Sequence, residues 1–349
     1  LVGIGIFGNL VPSEQGPVLI DGKGAFATIG EAVAEASEGD VVLVGPGTYE
    51  ETVEVTRAVE IRGDGSDVVE FLIPFDGPAF RLRDADATIS GICFLSRTPA
   101  DDEARRRAID IDGGLVILED LVARSDVPAS YEFVRLNATE EGSVIRGNTS
   151  SGEIIANRGA IATIEDNVLL AEDPSGPPVG IALRRADVDL IIRGNELNAI
   201  DIQTGIAEVS GNSIHGRTLG ESEAFGSCGI ALYGESRPVM TGNQVWDKEY
   251  GICGDVEVQG GEIYENDVGI LFMDRDPEDP DPPSSVTGAV IRDNAVGVQI
   301  GGLPPGLFIT DGEGMSGEAV LMDNAFCGNG VDVQAEEDAN VVEDGSTEC

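Results

Sequence analysis

Apolar residues in this chain come in runs of four to six, with Ile, Val and Leu at alternate positions, bounded by Gly, Asn and Asp. The run Gly180-Ile181-Ala182-Leu183 returns as Gly205-Ile206, Gly229-Ile230-Ala231-Leu232, Gly251-Ile252, Gly269-Ile270-Leu271-Phe272, Gly297-Val298-Gln299-Ile300 and Gly330-Val331-Asp332-Val333. A second marker, Gly or an acidic residue followed by Asn, accompanies it at Asn148, Asn167, Asn195, Asn212, Asn243, Asn266, Asn294 and Asn324. These asparagines define a period of about 25 residues, inside the range that signals solenoids. Period-two alternation predicts strands, and no run in the repeat is long enough for a helix. Short strands repeating at this period, with nothing to form a crossover helix, predict a parallel β-helix whose coils stack at ~4.8 Å. The inward residues then form aliphatic columns. The Asn at each corner is read as structural, because Asn tolerates left-handed backbone and can pair with the Asn of the next coil as a ladder.

Residues 21–51 differ in kind. Thr28 can N-cap a helix with Glu31 three residues on, Ile29, Val33 and Ala36 share a face, and Gly39 stops it. Such a helix would plug the open end of a solenoid, and Val41–Val44 would open the first coil. The expected division is an N-terminal strand and capping helix over 1–40, then one continuous β-helix over 41–349 of about eleven coils.

This cap carries a resemblance. The stretch from Asp21 through Gly45-Pro46-Gly47-Thr48-Tyr49-Glu50-Glu51 resembles the N-terminal cap and first coil of pectin-lyase-like right-handed β-helices, of the carbohydrate-binding and sugar-hydrolase type, with a fainter similarity to pectin methylesterases. The resemblance implies an all-β, single-stranded right-handed parallel β-helix. It implies no one reaction, since lyases, hydrolases, esterases, epimerases, adhesins and non-catalytic domains share the fold. Gly47, Tyr49 and Glu51 match the esterases' Gly-x-Tyr-x-Glu pattern, which belongs mostly to first-coil architecture. The esterases' Gln-Asp-Thr, Asp-Phe-Ile-Phe-Gly and Leu-Gly-Arg-Pro-Trp are missing, as are the polygalacturonases' Gly-His-Gly and Arg-Ile-Lys and the mannuronan epimerases' Tyr-Asp-Pro-His; Ile214-His215-Gly216 is a partial echo.

Aligning the repeating strand by its inward aliphatics gives Phe80-Arg81-Leu82-Arg83, Ile109-Asp110-Ile111-Asp112, Val134-Arg135-Leu136-Asn137, Ile181-Ala182-Leu183-Arg184, Ile200-Asp201-Ile202-Gln203 and Ile230-Ala231-Leu232-Tyr233. The second and fourth residues face out, so Arg81 and Arg83, Asp110 and Asp112, and Arg135 and Asn137 lie side by side. Insertions at 96–107, 123–132, 170–178 and 215–228 precede this strand and those at 273–285 and 301–316 follow it, which would wall a groove along the axis.

Two readings of the patch follow. In the catalytic one, Asp110 and Asp112 act on a sugar or hold calcium, with Arg135 and Arg83 as the cations opposite. Together they would neutralise a uronate carboxylate and remove its C5 proton. Arg81, Arg184, Asp201 and Tyr233 would then contact substrate. In the simpler one, Arg and Asp on adjacent strands neutralise each other as a solvated ladder worth ~0–1 kcal/mol per pair.

Composition narrows the partners. The 349 residues carry 64 acidic against 21 basic side chains, a formal charge of −43, and the only lysines are Lys23 and Lys248. Nucleic acid and anionic membranes are poor partners for such a surface, and so is a polyanionic polymer unless calcium bridges it. His215 is the single imidazole, which rules out a multi-histidine metal site and reads as a surface loop residue. Asp274, Asp276, Asp279 and Asp281 sit in a Pro-rich acidic loop without the glycine turn of an EF-hand. Arg105-Arg106-Arg107 beside Asp101, Asp102 and Glu103 reads as local neutralisation, and Tyr233, Trp246 and Tyr250 as dispersed aromatics. Of five Cys, Cys327 and Cys349 bracket the last coil and can clip it, while Cys93 looks unpaired. Leu1–Leu10 is apolar but too short to span a bilayer; it reads as the tail of a cleaved segment or as a first strand. The expected function is an exported or surface-displayed domain that binds a glycan or polysaccharide along its sheet groove without catalysis. The alternative is a calcium-assisted polysaccharide lyase or a glycoside hydrolase.

Overall fold

The computed structural model describes residues 17–97, 106–126, 131–173, 178–216, 228–232, 238–273, 283–301, 318–336 and 339–349. The chain winds as a right-handed parallel β-helix with three sheets running along its axis. The first has 15 strands, the second 13 and the third 12, and each strand pairs in parallel with its counterpart one coil away. The exception is the start of the first sheet, where the hairpin Val18–Ile20 and Gly24–Phe26 adds antiparallel to Asp40–Val44.

The helix Ile29–Glu35 closes this end and puts Ile29, Ala32 and Val33 into the core. Thr28 Oγ1 accepts from the Glu31 amide at 3.0 Å, as the N-cap pattern demands. The Glu51 carboxylate, supplied by the first coil, accepts from the amides of Ile29 and Gly30 at 2.9 Å each, taking up two orphan donors of the first turn. Tyr49 is buried and donates to the Gly45 carbonyl at 2.7 Å. The Gly-x-Tyr-x-Glu element is therefore scaffold here.

The core is one cluster of inward aliphatics, widened near the cap by Tyr49, Phe71, Phe80 and Phe94. The recurrent glycine near the start of the third-sheet strand has a steric cause. A Cβ on Gly251 would lie 2.4 Å from the Gly269 carbonyl oxygen, and one on Gly269 would lie 2.5 Å from that of Gly297. Backbones of successive coils touch at this corner, so no side chain fits.

The asparagines form ladders, as expected, but at two corners rather than one. Asn148, Asn167, Asn195, Asn212 and Asn243 lie between the first and second sheets, each of the first four donating its amide N–H₂ to the Oδ1 of the next at 2.9–3.0 Å. Gly261 and Ala289 hold this position in the next two coils, and Asn324 resumes it. Asn266, Asn294 and Asn329 form a second ladder between the second and third sheets. The left-handed residue is also not the Asn but the one before it: Asp166, Glu265, Asp293 and Asp323 have φ of 53–57°, and glycine takes the place at Gly147 and Gly194. Gly, Asp and Glu recur there because the corner needs αL, whereas Asn turns its amide inward.

Lys248 occupies the second ladder one coil before Asn266. Its backbone N–H donates to Asn266 Oδ1 at 3.1 Å and its Nζ to the Gly216 carbonyl at 2.6 Å, with the side chain 2% exposed. Burial pushes its ammonium pKa down to about 8.

Cys228 pairs with Cys253 and Cys327 with Cys349, pairings that the sequence left open; Cys93 is free and buried. Among the described residues no helix is long and apolar enough to cross a membrane.

Asn212→Ala removes an acceptor from the Asn195 amides and a donor from Ile192 O and Asn243 Oδ1. It should lower stability by about 2–4 kcal/mol in denaturant titration. Lys248 gives a pH signature. Between pH 8 and pH 10.5 the unfolded lysine keeps a proton that the folded one has lost, so raising pH through this window stabilises the fold. Measured against Lys248→Met, the wild type should gain roughly 3 kcal/mol across the window and nothing further below pH 8.

Candidate functional site

The register of the third sheet fixes its outer face. One outward column reads Glu54, Arg81, Asp110, Arg135, Ile155, Ala182, Asp201, Ala231, Cys253 and Leu271 from coil to coil. A second opens with Arg83, Asp112 and Asn137. Arg81, Asp110 and Arg135 are thus neighbours, as read from the sequence. The strand Glu153–Ala156 is an addition, because it inserts a coil between Arg135 and Arg184 that the alignment passed over. At Ala231, Cys253 and Leu271 the outer face is apolar, where Cys228, Ala231, Cys253 and Leu271 form a second buried cluster with Tyr250, Val268 and Met273 against it; it is polar again at Gln299 and Gln334. The charged residues of this column fall in the coils between Glu54 and Asp201.

Within it most charges are matched. Arg81 pairs with Glu54 at 2.7 Å, Arg83 with Asp112 at 2.7 Å, and Arg107 with Glu132 at 2.8 Å and Asp110 at 3.9 Å. Glu132, only 1% exposed, also takes the Arg135 guanidinium. Arg184 Nη1 donates to Asp201 Oδ2 at 2.6 Å. Asp110 and Asp112, the pair read as candidate calcium ligands, each face a guanidinium, and among the described residues no group of three or more His, Cys, Asp or Glu gathers as a metal site would need. That donor set does not fit calcium.

A cavity of about 380 Å³ opens on this face across three coils, lined by Arg135, Asn137, Ile155, Asn157, Arg158, Arg184 and Arg185. It exists because the outward column shrinks from Arg135 to Ile155 and Ala182 before Asp201. Ile155, 3% exposed, lies outside the core cluster and floors the cavity. Arg158 and Arg185 stand exposed at its rim, and neither side chain is engaged by an ion pair or hydrogen bond among the described residues. The alignment had picked out Arg135 and Arg184, but missed Arg158 and Arg185, which follow the strands instead of lying in them. Beside the cavity, burial raises the Asp201 carboxyl above the usual range against the opposing pull of Arg184, and its Oδ1 is buried without a hydrogen-bond partner.

The remaining candidates fall elsewhere. Tyr233, Arg105 and the acidic loop with Asp274, Asp276, Asp279 and Asp281 lie outside the described residues. Arg106 is buried over the Phe75 ring, and Arg107 serves Glu132. Where the insertions are described, their ends place the early ones at the corner entering the third sheet and the late ones at the corner leaving it. His215 is no isolated loop residue. It stacks on Trp246 with centroids 4.4 Å apart, Trp246 stacks on Tyr264 at 5.5 Å, and Arg292 covers Tyr264 at 4.0 Å. This column stands on the second sheet, so both faces of Trp246 are occupied by neighbouring coils and are closed to a sugar ring. A cavity of about 370 Å³ on the second sheet contains Cys93, whose thiol pKa burial pushes up.

A family model described as the right-handed β-helix region matches residues 134–304. No curated protein matches the sequence. Among solved structures, an alginate lyase of family PL6 in complex with a trisaccharide is similar with a TM-score of 0.58 and 15% identity, over 92% of this chain and 81% of that one. The periplasmic alginate epimerase AlgG is similar with a TM-score of 0.54 and 12% identity, over 89% and 85%. The catalytic domain of a GH87 α-1,3-glucanase in complex with nigerose is similar with a TM-score of 0.53 and 14% identity, over 92% and 67%. The right-handed parallel β-helix expected from the cap and the repeats is thereby shown as the fold.

The chain's single tryptophan makes the second-sheet stack measurable. His215→Ala uncovers one face of Trp246, and its emission maximum should move to longer wavelength without loss of the fold.

Proposed function

We propose that this right-handed parallel β-helix binds a polysaccharide along the outer face of its third sheet, with the strand-crossing cavity as the anchoring subsite. One observation carries this reading: the cavity spans three coils and lies in the charged stretch of the outer face, which the apolar cluster at Ala231, Cys253 and Leu271 bounds on one side. A site elongated across strands suits an extended chain better than a compact metabolite. Solved structures of similar fold support it, because those proteins are an alginate lyase, an alginate epimerase and an α-1,3-glucanase. Two disulfides fit an exported protein folding in an oxidising compartment.

The matched ion pairs favour binding over catalysis. Arg83 is held by Asp112 and Arg135 by Glu132, so the charged groups of the patch serve one another. A polysaccharide-active enzyme is the second reading, and Asp201 is what favours it. A carboxyl with raised pKa beside an arginine of the cavity is suited to hold or take a proton at a sugar carbon or glycosidic oxygen.

The test is retention on a panel of immobilised neutral and acidic polysaccharides, with release of reducing ends and unsaturated products assayed in parallel. Retention of at least one polymer, weakened tenfold or more by Asn157→Trp in the cavity wall, is expected. A polymer retained equally by wild type and Asn157→Trp would move the site off this face. Turnover abolished by Asp201→Asn, with retention kept, would replace the binding reading with the enzymatic one.

A further inference from the structure

We infer that the cavity on the third sheet is an anion subsite, and that the polysaccharide it anchors bears carboxylate or sulfate-ester groups. The inference rests on the binding reading above and names the chemistry of its ligand. The chain holds 64 acidic and 21 basic side chains, yet four arginines line one cavity. On the outer faces of the sheets several arginines are matched across coils: Arg81 to Glu54, Arg83 to Asp112, Arg146 to Glu119 and Arg193 to Glu165.

At the cavity the matching stops. Glu132 and Asp201 hold Arg135 and Arg184 in place, while Arg158 and Arg185 have no ion-pair or hydrogen-bond partner for their side chains among the described residues. Arg135 Nε is also buried without an acceptor. Four guanidiniums against two carboxylates leave local positive charge facing a concave, half-enclosed space. Asn137 and Asn157 line the same space, and the Asn157 amide can donate to an oxyanion or to sugar hydroxyls. Guanidinium forks bind planar carboxylate and sulfate oxygens in pairs, so the donor set selects an oxyanion over a neutral ring.

The overall charge of −43 does not forbid this. At physiological ionic strength charges more than about 8 Å apart are largely screened, whereas contacts at hydrogen-bond distance in a partly enclosed site are screened much less. The arginines therefore outweigh distant carboxylates for a ligand already seated.

The test compares wild type, Arg158→Gln/Arg185→Gln and Arg158→Lys/Arg185→Lys on a polyuronate, a sulfated galactan and a neutral glucan, at two salt concentrations. Both positions are exposed, and unchanged melting temperatures will verify that the variants fold. The expected result is that wild type binds a charged polymer at least tenfold tighter than the glucan. The Gln variant should lose that preference, the Lys variant should keep part of it, and added salt should weaken it. The charged polymer whose binding responds to the Gln variant identifies carboxylate or sulfate as the recognised group. If wild type binds the glucan as well as the charged polymers, or the Gln variant binds all three unchanged, the anion subsite is wrong and the groove reading stands. Binding to no polymer at all would overturn both.

Discussion

Each coil of this molecule must sit in register on the one before it, and the amide ladders are what hold it there. A strand in a parallel sheet can slip by two residues without changing which side chains face in. The ladder removes that freedom, because Asn195 offers its Oδ1 to both the backbone and side-chain amides of Asn167 and is bound in the same way by Asn212. Each Nδ2 also reaches a carbonyl of the preceding coil, as Asn212 does to Ile192. The buried amides are thus satisfied, which is the condition for polar groups at a core boundary to stabilise rather than cost.

Register fixed in this way makes the outer faces modular. A side chain in an outward column meets the equivalent residue of the next coil at strand spacing, so each column can be written one residue per coil. The first sheet uses this for Glu119, Arg146, Glu165 and Arg193, which alternate in sign. The second uses it for the His215, Trp246, Tyr264 and Arg292 stack. On the third sheet the same rule produces a cavity, because Ile155 and Ala182 interrupt a column of long charged side chains. No loop has to move to form it, and its floor is as rigid as the strand pairing.

This modularity also explains what the sequence shows and what it hides. The cap was legible because Thr28, Glu31 and Gly39 signal a helix locally, and the register of Arg81, Asp110 and Arg135 was legible because their flanking aliphatics alternate cleanly. The strand Glu153–Ala156 was not, since its outward residue is Ile155; period-two alternation vanishes when both faces are apolar. The two Asn corners merged into one marker because Gly-Asn and Asp-Asn look alike at either. His215, Trp246 and Tyr264 come from different coils, and only the register shows that they stack. Arg158 and Arg185 lie just past strand ends, where no periodicity marks them.

The near absence of lysine becomes intelligible on the same terms. Matching charge across coils requires a cation that can lie along the sheet and engage a carboxylate one strand away, and the planar guanidinium does this with a defined geometry that a flexible ammonium lacks. Arg146 and Arg193 do so through both Nε and Nη2 to a single carboxylate oxygen. The two lysines do other work, Lys23 at the cap with Asp40 and Lys248 inside a corner. In a surface where arginine serves to cancel acid, an exposed arginine with neither a carboxylate nor a carbonyl partner, unlike Arg57 on the Ala36 carbonyl, marks a place where the cancelling group is to come from outside. Among the described residues Arg158 and Arg185 are in that state at the mouth of one cavity. Pairing that saturates the rest of the face and stops there locates the site more sharply than the cavity's volume does.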